Sequence, residues 1–114
     1  MSWSQATPEL PVRDVRGAQE HYRDQLGFGI AWHNEAERIG AVRREECILF
    51  LREVDDGRPP ANVWIFVEDV DAVHRDAAQR GADIEEDPAD KPWGLRQFTV
   101  RDAYGNRLNI HHDL

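Results

Sequence analysis

The apolar positions of this chain change period in a fixed order, and they do so twice. Ala6–Val12 is a short apolar stretch that predicts a strand ending before Asp14. From there Val15, Ala18, Tyr22 and Leu26 recur at helical spacing, one stripe of an amphipathic helix. Asp14 is placed to cap its start, and Gly27 to take the turn that ends it. Phe28–His33, Ile39–Arg43 and Cys47–Arg52 then read as strands, with polar turns at Asn34–Arg38 and Arg44–Glu46.

After the stiff connector Arg58-Pro59-Pro60 the order repeats. Asn62–Val67 is a strand that runs into Asp69. Val70, Val73 and Ala77 mark a second helical stripe, closed by Gly81. Ala82–Glu85, Leu95–Arg101 and Arg107–His111 are three further strands. Val12-Arg13-Asp14-Val15 is matched by Val67-Glu68-Asp69-Val70 about 55 residues later, and Gly27 by Gly81 at nearly the same offset. The expectation is an α+β fold, a single domain over 1–114 built from two β-α-β-β-β modules, about 5–55 and about 60–112. Each module has one sheet face on its helix and one free face. Two free faces must cover each other, or a partner's, and a ligand fits between them. Pairing within one chain and pairing between chains use the same strands, and both stay open here.

Strand parity names the residues of that cleft. In Asn62–Val67, Val63, Ile65 and Val67 suit the helix side, which turns Asn62, Trp64 and Phe66 inward. By the same rule Thr7, Glu9 and Pro11 face inward from the first strand, and Ile48 and Phe50 from the last strand of module one. Arg107, Asn109 and His111 do so in module two. Trp32 and Trp93, near loops, add further stacking surface.

Composition narrows the partners. The chain has 114 residues, 22 acidic against 14 basic, and a net charge of −8. That balance excludes a nucleic-acid binder that works through a basic face, and it suits a cationic or neutral guest. No apolar run is long enough to span a membrane, and MSWSQATPEL lacks the pattern of a secretory signal. The expected location is therefore cytoplasmic. A lone Cys47 excludes an internal disulfide and multi-cysteine zinc chemistry, and no base is evident to activate it. His111 and His112 are adjacent in a strand and point to opposite faces. His21, His33 and His74 read as solvated or hydrogen-bonded residues. The acidic run Asp83–Asp90 reads as a solvated loop, with a cation-steering edge as the functional alternative.

Paired β-α-β-β-β modules, a V-x-D helix start and a late RDAYGN turn resemble the vicinal oxygen chelate superfamily of glyoxalase I, extradiol dioxygenases, and fosfomycin and bleomycin resistance proteins. The stretch PWGLRQFTVRDAYGNRLNI (92–110) and the helix exit YRDQLGF look most like the bleomycin resistance branch. Gln97 stands where that branch has Glu, Leu95 is an added residue after PWG, and Ala103-Tyr104 replace Pro and a small residue.

The resemblance implies a homodimer with clefts at the subunit interface, and metal ligands at four positions in the metal-using members. Those positions hold Thr7, Phe50, Asn62 and Asn109 here, which gives no usual metal set, no cofactor and no catalytic residue. The implied activity is antibiotic binding and resistance: a planar cationic small molecule of the bleomycin type, sequestered without catalysis. Its binding residues would be Trp64, Phe66, Phe50, Glu9, Trp32, Asn62, Trp93, Asn109 and His111. Two other readings stand beside it. One is a metal-dependent lyase, isomerase or dioxygenase of the glyoxalase superfamily, using ligands such as Glu9 and His111. The other is a binder of some other aromatic metabolite, which Gln97 keeps open.

Overall fold

A computed structural model describes residues 1–114. The first module comprises β1 (Glu9–Val12), α1 (Val15–Leu26), β2 (Gly29–Asn34), β3 (Ile39–Arg44) and β4 (Cys47–Glu53). The second comprises β5 (Asn62–Phe66), α2 (Val70–Gln79), β6 (Asp83–Asp90), β7 (Leu95–Arg101) and β8 (Arg107–Asp113). Each module forms its own mixed sheet, in the order β1-β4-β3-β2 for the first and β5-β8-β7-β6 for the second. In both, the first strand runs parallel to the last, and the remaining pairs are antiparallel. The α+β fold and its two repeated modules are as the hydrophobic pattern predicts.

The helices form for the reasons the pattern gives. Val15, Ala18, Tyr22 and Leu26 are all buried along α1. Gly27, at φ +72°, donates to Arg23 O, and Phe28 N donates to Tyr22 O, which closes the helix in a left-handed turn. Asp14 occupies the N-cap position with extended backbone, but its side chain makes no capping hydrogen bond. Asp69 does cap α2, accepting from Ala72 N at 3.2 Å. The second helix ends at Gln79, and Gly81 follows at φ +78°.

Two local expectations are corrected. The first strand begins at Glu9 rather than Ala6. Pro8 has no N–H to give a ladder, and its carbonyl makes the last contact, with Phe50 N at 3.0 Å. The acidic run Asp83–Asp90 is no loop; all of it is β6, an edge strand paired to β7 with two register shifts. Its carboxylates are held by neighbours: Asp83 by Arg101, Glu85 by Arg107, Glu86 by Lys91, Asp87 by His74 and Asp90 by Arg96. Pairing removes the repulsion that a charge run would bring to a strand. The charged rim also discourages edge-to-edge association.

One hydrophobic cluster of 16 buried residues runs through both modules, from Leu10, Val12 and Tyr22 to Phe98, Val100 and Ile110. Polar contacts lock the modules together on its flank. Asp102 is buried and accepts from the Tyr22 hydroxyl at 2.7 Å, Tyr104 N at 2.8 Å and Asn106 N at 2.9 Å. Asn106, fully buried, donates to Pro11 O and to Asp102, both at 2.9 Å, and accepts from Ala61 N at 2.7 Å. Tyr104 reaches Asp14 O at 3.3 Å, and Arg13 lies over its ring. The RDAYGN turn is thus a structural knot between the modules. No helix is long and apolar enough to cross a membrane.

Candidate functional site

The free faces of the two sheets carry the candidate site. On β5 the burial alternates as parity requires, with Asn62, Trp64 and Phe66 exposed and Val63 and Ile65 turned toward the core. Trp64 and Phe66 keep 51% and 60% of their surface exposed, and Trp32 and Trp93 keep 44% and 59%. These four rings are the large aromatics that the two sheets and the Trp93 loop leave exposed.

In the second module β8 lies beside β5, with Trp64 paired to Asn109 and Phe66 to His111. The His111 ring stands edge-on to both aromatics, at 5.9 Å from Trp64 and 6.0 Å from Phe66. Asn109 is buried in the same row. It accepts from the Thr99 hydroxyl at 2.9 Å and donates to Asn62 Oδ1 at 2.7 Å and Val63 O at 3.1 Å. Gln97, opposite His111 on β7, accepts from Trp93 Nε1 at 2.9 Å, which ties the loop tryptophan to the sheet. Lys91 sits 5.8 Å over the Trp93 ring.

In the first module Trp32 and Phe50 meet edge-to-face at 5.3 Å. They flank Ala41, which pairs with both, and its small side chain leaves room for the two rings. A register shift between Ile30 and Trp32 sets this geometry, and α1 fixes it. Gln19, buried, donates to Trp32 O at 2.8 Å and Ala41 O at 3.2 Å. Sequence reasoning missed Gln19. Its only signal is a polar residue beside the apolar stripe of α1, which looks like any surface helix position. A groove of about 520 Å³ lies beside this face, between the N-terminal segment at Trp3 and Thr7 and the strand residues Arg43 and Ile48.

The candidate residues therefore divide between the sheets. Trp64, Phe66, Asn62, Asn109, His111 and Trp93 gather in module two, and Trp32 and Phe50 in module one. Glu9 is also on the first sheet but is not a free charge. Arg52 holds both its carboxylate oxygens, at 3.1 and 3.3 Å. Asp113, two residues beyond His111 and of the same parity, is in no ion pair. Cys47 is half-buried, and burial pushes its thiol up, away from nucleophilic chemistry. His112 is also committed, accepting from Val70 N at 2.9 Å.

The donor set does not fit a divalent metal. Of the four positions, Thr7 is exposed ahead of β1, Phe50 packs on Trp32, and Asn62 and Asn109 bond to each other. A hydroxyl, a phenyl ring and two paired amides offer neither charge nor imidazole nitrogen to a cation. Glu9, the carboxylate that would have to serve instead alongside His111, is already held at both oxygens by Arg52. No three His, Cys, Asp or Glu residues are gathered anywhere to hold an ion.

Comparison with known proteins gives the same frame. The uncharacterized protein YraH of Bacillus subtilis (strain 168) is 30% identical over 118 residues, spanning 90% of this chain and 92% of that one. The crystal structure of TioX from Micromonospora sp. ML1 superposes with a TM-score of 0.82 at 28% identity, over 98% of this chain and all of that one. A bleomycin-binding protein complexed with bleomycin shares the fold, with a TM-score of 0.83 at 22% identity over 98% of this chain and all of that one. The description "Glyoxalase/Bleomycin resistance protein/Dioxygenase superfamily" matches residues 4–110. The chain belongs to that superfamily.

Proposed function

We propose that this protein binds and sequesters a planar aromatic small molecule, cationic and of the bleomycin type, without transforming it. The observation that carries this reading is the pair Trp64 and Phe66, half-exposed on the open sheet face around His111. Each well-placed ring contact contributes about 0.5–1.5 kcal/mol, and a cation over a ring about 0.5–2 kcal/mol. Submicromolar binding needs more than about 8 kcal/mol, so several rings must act together. Trp32 and Phe50 from another sheet supply them if two chains pair, with the first sheet of one facing the second sheet of its partner. The contacts that join modules within a chain support this arrangement. Tyr22, Asp102 and Asn106 lock the flank and leave both open faces uncovered. Asp113, which is in no ion pair, supplies the counter-charge, since Arg52 already holds Glu9.

A second reading, binding of a neutral aromatic metabolite, is favoured by Gln97. The residue standing in place of the branch's Glu is a neutral amide already engaged by Trp93. Calorimetry with metal-free bleomycin, together with light scattering, separates the two. One drug per chain at submicromolar affinity, on a particle of twice the chain's mass, is the expected result. A monomer would overturn the shared cleft. Heat-free titration of bleomycin would overturn the drug and leave the neutral ligand.

A further inference from the structure

His111 presents a polar atom that the fold does not satisfy. Its Nδ1 is buried and has no hydrogen-bond partner, although His112, the next residue, is fully used. An orphaned buried nitrogen is costly, so it gains from any partner that reaches it. Directly opposite lies Gln97, whose side chain shares the same face. Trp93 takes the Gln97 Oε1, which fixes the amide and turns its Nε2 hydrogens away, where they make no bond within the chain. Three exposed rings rim this pair: Trp64, Phe66 and Trp93. Trp64 and Phe66, half-exposed, are the parts of the His111 surroundings that can swing without opening the core.

We infer that His111 and Gln97 form a polar floor beneath this aromatic rim and select a planar ligand with a lactam-type edge, one carbonyl acceptor beside one N–H donor. The ligand carbonyl accepts from Gln97 Nε2, and the ligand N–H donates to His111 Nδ1 in the tautomer that carries its proton on Nε2. Stacking on the rim is indifferent to these polar groups, so the floor decides which flat molecules are held. His111 acts here as a specificity residue. The inference rests on the second sheet's open face being the ligand site.

Two probes of nearly equal size test it: 2-quinolone, which has the edge, and 1-methyl-2-quinolone, which has lost the donor. The parent protein should bind 2-quinolone about tenfold more tightly, equivalent to about 1.4 kcal/mol. The ¹⁵N resonance of His111 Nδ1 should move with 2-quinolone and stay in place with the methylated probe. His111→Phe keeps a ring in the row and should bind both probes equally. Gln97→Met, an independent variant, should weaken both probes, since both carry the carbonyl that Gln97 holds. Equal binding of the two probes by the parent, an undiminished preference in His111→Phe, or unweakened binding of both probes by Gln97→Met overturns the polar floor. Failure of both probes and of bleomycin overturns the ligand face itself. Bleomycin binding without the lactam preference removes this inference alone.

Discussion

Replacing Tyr22 by Phe removes one hydroxyl from the knot that joins the modules, and the structure says what that costs. The hydroxyl is fully buried and donates to Asp102 at 2.7 Å across 80 residues of sequence. A hydrogen bond to a charged acceptor contributes about 1.5–3 kcal/mol. Asp102 keeps its three other donors, from Tyr104 N, Asn106 N and Asn106 Nδ2, so the carboxylate is not stranded. The Phe ring keeps its edge-on contact with Phe28 at 5.7 Å, so no cavity larger than one oxygen appears. Tyr22→Phe should therefore lower stability by about 1.5–3 kcal/mol in urea unfolding, and Tm by about 6–12 °C at roughly 4 °C per kcal/mol.

The alkaline limb gives a second readout. Burial first, and the Asp102 charge next, push the Tyr22 phenol well above its ordinary value. The unfolded chain loses that proton as pH passes about 10, while the folded chain retains it. The unfolded state then binds fewer protons, and stability falls as pH climbs from about 10 toward the folded value. Tyr104, raised by burial and then by Asp14, adds to the same fall. Tyr22→Phe should flatten most of it. A variant within about 0.5 kcal/mol of the parent, with an unchanged alkaline fall, would refute the knot as a stabilising device.

Three other substitutions probe separate parts of the account. Gly40→Ala would set a Cβ 2.6 Å from Val15 Cγ1 and 2.8 Å from Gln19 Nε2. It should cost about 1–3 kcal/mol by thermal unfolding and loosen the Trp32 segment that Gln19 holds. Trp64→Ala removes a half-exposed ring, so it should abolish bleomycin binding while unfolding within about 0.5 kcal/mol of the parent; loss of folding would mean the ring is core. Asp113→Asn should weaken binding of a cationic ligand and flatten its salt dependence, and an unchanged affinity would remove Asp113 as the counter-charge.

What the sequence discloses here follows from range. The α1 stripe and the alternation of β5 are repeated local signals: the stripe is buried, Val63 and Ile65 turn to the core, and Asn62, Trp64 and Phe66 lie on the opposite, exposed face. At the Pro8 boundary and along the far half of β6, beyond the strand expected at Ala82–Glu85, local composition points away from the pairing that the fold makes. DIEEDPAD looks like a loop until Arg96, Arg101, Arg107 and Lys91 are brought alongside it. Asp102 and Asn106 lay within a motif that carried the family resemblance, yet their partners, Tyr22, Pro11 and Ala61, are distant in sequence. The engagement of Glu9 by Arg52 and the isolation of His111 Nδ1 are likewise three-dimensional facts. No period in the chain encodes them.

The central claim is that the open aromatic face around Trp64 receives the ligand. The chain has four tryptophans, Trp3, Trp32, Trp64 and Trp93, so labelling with 5-fluorotryptophan gives four ¹⁹F signals that single substitutions can assign. On titration with metal-free bleomycin the Trp64 signal should move saturably, together with that of Trp93. A Trp64 signal that stays fixed while the drug binds, or four signals that never move, would contradict the claim.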